Sequence, residues 1–175
     1  MLKGKNMYIT TREYDELCPE LKAKICNGIG PDTWLRKFCP QTIWGMNVSE
    51  IGDIHDFDYE KAKYLYTKAV ADVVFLVNLC RKIDTGKKWL KWLRQNRAIL
   101  YFKLVLYKGC EYMPECYDSK PERYRDFLKN VLDFALDMIV SKRYKRITRR
   151  EIDAYVYCYW VSCGGFLWKQ LEESI

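Results

Sequence analysis

A chain of 175 residues with 49% apolar and 15% aromatic residues can bury a real core, which excludes a disordered segment. Its net charge of +7 favours anionic partners, either phospholipid headgroups or nucleic acid. No apolar run reaches the ~18–20 residues that span a bilayer as a helix. Residues Met1 to Asn6 lack the apolar stretch of a secretory signal, so cytoplasmic synthesis is expected.

In chain order, Tyr14 to Lys24 predicts a short helix interrupted by Pro19. Residues 26–47 carry Gly28, Gly30, Pro31, Pro40 and Gly45 and read as a long loop anchored by Trp34, Phe38, Ile43 and Trp44. Asn47 followed by Glu50 has capping-box spacing, so a helix is expected from Asn47 to about Leu65. A second helix is expected over Thr67 to Ile83, antiparallel to the first because the connection is short. Residues 86–108 form a third amphipathic stretch, and Glu122 to Val140 a fourth helix. Six cations lie between Lys142 and Arg150, and Thr148 with Glu151 matches a capping box for a last helix. The uncharged segment Ala154 to Trp168 is expected to bury against the Tyr124–Ile139 helix. The cysteines at 18, 26, 39, 80, 110, 116, 158 and 163 form no C-x-x-C pair and read mainly as buried free thiols.

Two residues carry most of the chemical information. His55 is the only histidine, and it shares a helical stripe with Ile51, Tyr59 and Ala62. Asp72 interrupts the apolar run Ala69 to Val77, where an isolated carboxylate must be protonated or paired. The antiparallel arrangement brings Asp72 toward His55. Alone, His55 reads as a satisfied core histidine; with Asp56, Tyr59 and Asp72 in place, a His–Asp pair is the better reading. For Asp72 the alternative partners are a backbone group or one of the 14 tyrosines.

These residues resemble the phospholipase A2 superfamily, and its compact viral and microbial members more than the secreted, disulfide-rich enzymes. The resemblance rests on Asn27-Gly28-Ile29-Gly30 as a calcium loop, on His55-Asp56-Phe57-Asp58-Tyr59, and on Ala71-Asp72-Val73-Val74-Phe75. It covers roughly residues 26–80. Where secreted members place cysteines, this chain has Ile51, Gly52 and Asp58, and its Gly30-to-His55 gap is longer.

The resemblance implies an all-α fold: a calcium loop and two antiparallel helices in residues 1–117, with a helical extension, 118–175, packed on them. It implies calcium-dependent hydrolysis of the sn-2 ester of glycerophospholipids at a membrane or micelle surface, with no nucleic acid. His55 would be the general base on water, Asp72 would fix its tautomer, and Tyr59 would support Asp72. Calcium would be held by the Asp56 carboxylate and by backbone carbonyls near Cys26, Gly28 and Gly30. Release from the cell or association with a virion are the settings such a reading allows.

The stretch Lys87 to Arg97 has two readings. One is a core-packed amphipathic helix with a solvated basic face. The other is a membrane interface in which Trp89 and Trp92 enter the headgroup layer beside Lys88 and Lys91. The 142–150 cluster reads as a solvated turn, with phosphate or nucleic-acid contact as its alternatives. Two rivals to the enzyme remain: a non-catalytic phospholipase A2-fold binding or structural module, and a basic nucleic-acid-associated phage-type protein. A metal-dependent HD phosphohydrolase needs several histidines and is excluded. A cysteine hydrolase would need Cys26, Cys39 or Cys80 beside His55.

Overall fold

A computed structural model of the chain describes residues 7–26, 41–109 and 121–164, which are mostly helical. Two short helices open it, α1 (Arg12–Asp15) and α2 (Pro19–Ile25). Pro19 occupies the first turn of α2, where its missing N–H costs nothing, so the expected interruption falls where the proline stands. Part of the expected long loop is a hairpin of β1 (Thr42–Ile43) and β2 (Met46–Asn47). Its two turn residues, Trp44 and Gly45, have φ of 48° and 73°, the signs a tight hairpin requires.

Helix α3 (Ser49–Lys61) starts later and ends sooner than the spacing predicts. Asn47 belongs to β2, so Val48 takes the capping position and the Asn47–Glu50 box does not form. The Asn47 carboxamide oxygen instead accepts the Ser49 N–H at 2.8 Å and the Ser49 hydroxyl at 2.7 Å. Ala62 turns extended and ends the helix. Tyr64 then leads into α4 (Leu65–Asp84), its N–H donating to the Thr67 hydroxyl at 3.1 Å.

Helix α4 is buried on nearly every side, from Leu65 to Ile83, as its all-round apolar sequence dictates. It is packed by α3, α5 (Lys91–Lys108), α6 (Pro121–Val140) and α7 (Arg149–Ser162), which share one apolar cluster with it. The N-terminal segment joins through Asn78, whose amide oxygen accepts the Ile9 N–H at 2.7 Å and whose amide nitrogen donates to the Ile9 carbonyl at 3.0 Å. The Thr148–Glu151 box forms at the start of α7. None of the described helices is long and apolar enough to cross a membrane.

Three expectations need correction. In the described part of Ala154–Trp168 only a stripe is buried, Val156 and Trp160, with Trp160 edge-on to Phe127 at 5.2 Å; Tyr155, Tyr157 and Val161 are exposed. Of the five described cysteines only Cys80 is buried, because Cys18 lies at a helix start and Cys158 on the outer side of α7. All five are free thiols. The 142–150 turn is exposed at Lys142, Arg146 and Arg150 but not merely solvated. The Arg81 guanidinium donates to the Tyr144 and Ile147 carbonyls at 2.8 and 2.7 Å, and Tyr144, buried, donates to Asp84 at 2.9 Å.

Asp84 gathers Lys91 at 2.6 Å, Lys145 at 3.4 Å and the Tyr144 hydroxyl. Burial pushes its carboxyl up, but those three partners outweigh burial and hold it below the usual carboxylate range. A carboxyl lowered on folding stabilises the native state above its ordinary value, and that contribution fades as pH falls through the folded value. Asp84→Asn should therefore lower the denaturant midpoint at neutral pH. The gap from wild type should close as pH falls below about 4, measured by urea unfolding across that range.

Candidate functional site

The three-residue link between α3 and α4 makes them antiparallel, and contacts pair off symmetrically about it: Tyr59 with Lys68, His55 with Asp72. His55 is buried, its ring 4.7 Å from that of Phe75 and 4.3 Å from that of Tyr59. Its Nε2 lies 2.9 Å from Asp72 Oδ1. The Tyr59 hydroxyl donates to the same oxygen at 2.9 Å. The pairing expected of His55, Asp72 and Tyr59 is thus present.

The other oxygen of Asp72 has a partner that the sequence analysis did not single out. Lys68 Nζ sits 2.7 Å from Asp72 Oδ2, both side chains fully buried. The same ammonium donates to the Val105 and Leu106 carbonyls, each at 2.7 Å. Both carbonyls lie near the C-terminal end of α5, where the helix dipole is negative, and Val105 also accepts the Gly109 N–H that caps the helix. The signal was present in the sequence, since Lys68 and Asp72 stand four apart on one helix. It is obscured by the apolar run beginning only at Ala69.

Because Asp72 carries an ion pair, its carboxylate accepts rather than donates. Nε2 is then the protonated ring nitrogen of neutral His55, and Nδ1 is the basic one. That is the tautomer a general base facing a water molecule requires.

Asp56 follows His55 on α3 and is half-buried. The end of α2 packs against α3 and brings Cys26 to this region. The Cys26 thiol donates to the Asp53 carbonyl at 3.2 Å, and burial, then the nearby Asp53 and Asp56 carboxylates, push it up to about 11. Cys26, named as a calcium holder, thus touches α3 at Asp53. Asp53, one turn before Asp56, adds a second carboxylate that the motif did not flag; burial and then Glu50 raise its pKa. Gly28 and Gly30 lie outside the described residues. Among the described residues no cluster of three His, Cys, Asp or Glu side chains can hold a metal. A carboxylate with backbone carbonyls is still a hard oxygen donor set of the kind calcium takes.

Asp58 lies on α3 three residues past His55. It is buried and accepts from Arg149 at 2.7 Å, so an ion pair ties α3 to the start of α7. Trp89 and Trp92 are exposed at 74% and 70%, which overturns the core-packed reading for them, because the 3-10 turn Lys88–Leu90 swings the stretch outward before α5 begins. Lys88 is exposed; Lys91 is paired with Asp84. Comparison with protein-family models, curated proteins and solved structures finds no match to this chain.

Neither described cysteine candidate is an activated nucleophile. Burial, then the Asp84 charge, pushes the Cys80 thiol up to about 12. At pH 8 a thiol at about 11 is roughly one part in a thousand thiolate. Cys39 lies outside the described residues. Iodoacetamide at pH 8 should label Cys18 and Cys158 quickly, and Cys26 and Cys80 only slowly until the protein is unfolded, as mass mapping of labelled peptides will read.

Proposed function

We propose that this chain is a phospholipase A2-like hydrolase that cleaves the sn-2 ester of glycerophospholipids with calcium. The observation that carries the reading is the buried His55–Asp72 contact with Tyr59 on the same carboxylate oxygen. Asp56 and backbone carbonyls near Cys26, Gly28 and Gly30 are the groups that would hold calcium. When bound, calcium supplies electrophilic stabilisation of the ester carbonyl oxygen as negative charge develops there.

The chain's own residues supply the proton chemistry. Nδ1 of His55 takes a proton from water as the water oxygen bonds to the ester carbon. The imidazolium so formed keeps its Nε2–H on Asp72. Collapse of the tetrahedral adduct breaks the bond to the glycerol oxygen, and Nδ1 returns its proton to that oxygen. The products are a fatty acid and a lysophospholipid. Tyr59 and Asp72 hold the ring at one angle throughout, which spares the reorganisation a solvated carboxylate would need.

A lipid surface is the substrate phase this reading calls for. Trp89 and Trp92, with Lys88 beside them, support contact with anionic lipid. Trp44 is a further exposed aromatic: it is 58% exposed at a left-handed hairpin position, and its carbonyl accepts from the Arg94 guanidinium at 2.9 Å. A large aromatic there has no conformational reason to be chosen, which favours a contact role. The second reading, a non-catalytic module, is favoured by one observation, the Lys68 ion pair that already compensates Asp72.

Fatty-acid release from mixed phospholipid micelles, measured with calcium and with chelator, separates the two. Calcium-dependent release that falls at least a hundredfold in His55→Gln supports the enzyme, given the typical worth of a positioned base. Release unchanged in that variant removes His55 as the base, and no release from the folded protein leaves the module. Replacing Trp89 and Trp92 together by Ala should weaken sedimentation with anionic vesicles about tenfold or more while leaving the thermal midpoint nearly unchanged. Unaltered vesicle binding would rule out that surface.

A further inference from the structure

We propose that Lys68 is a positioning residue for the dyad: its ammonium, held on carbonyls at the C-terminal end of α5, takes one side of the group at position 72 and so sets which side of that group His55 and Tyr59 meet. As a catalytic role this rests on the hydrolase reading; as an orienting role it does not.

The argument starts from donors and acceptors. An ammonium has three N–H groups and no acceptor. Lys68 has three oxygens within 2.7 Å: Asp72 Oδ2, Val105 and Leu106. Two protons go to the carbonyls, the ammonium is ion-paired with Asp72 Oδ2, and the side chain is fully buried, so the lysine cannot move off without leaving the Asp72 charge uncompensated. Position 109 closes the space. A Cβ on Gly109 would run into the Tyr59 hydroxyl and the end of the Lys68 side chain. Lys68 therefore accepts only an oxygen from position 72. The opposite oxygen is left for His55 and Tyr59, and a carboxylate oxygen imposes N–H on Nε2.

A helix-capping lysine with no orienting role would leave the imidazole indifferent to its presence. An orienting lysine predicts an inversion. In Asp72→Asn the amide has one oxygen and one NH2. Lys68 claims the oxygen, the NH2 turns to His55, and Nε2 must become the acceptor. Removing the lysine as well, in Lys68→Met with Asp72→Asn, frees the amide to turn its oxygen back to His55 and Tyr59. Neither variant leaves an unpaired buried carboxylate; Asp72→Asn removes the counter-charge of the buried Lys68 ammonium, and the double variant removes that ammonium as well.

The chain's single histidine makes the readout unambiguous, because nitrogen-15 spectra of the labelled protein contain one imidazole. At a pH where the ring is neutral, the wild type is expected almost wholly as the Nε2–H tautomer. Asp72→Asn is expected mostly as Nδ1–H, and the double variant again mostly as Nε2–H. Hydrolysis, if present in the wild type, should be at least tenfold faster in the double variant than in Asp72→Asn, since a wrong tautomer disables a positioned base. Retention of Nε2–H in Asp72→Asn overturns the proposal by itself, even if the double variant does not fold. The same tautomer in both variants also overturns it. The predicted tautomers without lipid hydrolysis in any form would leave Lys68 as the orienting residue and remove the hydrolase.

Discussion

The constraint on which the rest of the molecule depends is one carboxylate inside the central helix. Asp72 is fully buried, and a bare carboxylate there would cost several kcal/mol even after relaxation. Three groups meet it: His55 and Tyr59 hydrogen-bond it from α3, and Lys68, one turn earlier on α4, pairs with it as an ion. Meeting the carboxylate fixes the rotation of α3 against α4. Lys68 in turn donates to the Val105 and Leu106 carbonyls, which ties α4 to the C-terminal end of α5. Such a buried ionic network is poor value as a source of stability, since apolar residues of like volume commonly do as well. Its retention in the centre of an apolar helix is better explained by the single geometry it enforces.

The legible parts of the fold were those governed by local rules. Pro19 opens a helix because its ring suits the first turn, and Thr148 with Glu151 closes reciprocal bonds within four residues. The Asp72 anomaly was legible too, as a charge where periodicity demands an apolar residue. What failed depended on competition between distant segments. Asn47 has the chemistry of a helix cap but is claimed by a strand pair with Thr42. Lys68 reads as the polar end of a helix until α5 arrives over it. The stretch holding Trp89 and Trp92 fitted either core or interface from its pattern, and the fold leaves both rings in solvent, Trp89 in a 3-10 turn and Trp92 at the start of α5. Gly28 and Gly30 can be placed only as sequence.

The C-terminal helices, for which the motif offered no explanation, brace the site-bearing helix. Asp58 lies on α3 three residues past His55, and Arg149 reaches it from the start of α7. A partly buried charge pair thus links α3 to α7. The connecting turn is held by Arg81 and Asp84 at the end of α4. The last helix is therefore anchored to both helices that carry the His–Asp pair, and its position and theirs are set together.

The two surfaces of the proposed enzyme are joined by α5, and its length restricts how they work together. Thirteen residues separate Trp92 from Val105, about 20 Å along the axis at the helical rise of 1.5 Å per residue. The tryptophan end therefore cannot rim the mouth of the dyad. Yet Trp92, Leu100 and Tyr107 are exposed on α5, with Asn96 and Lys103 between them, at spacings of three and four. Those spacings place all five on one stripe running the length of the helix. A lipid plane touching both ends must lie along that stripe, with α5 parallel to the surface rather than standing on its tryptophans.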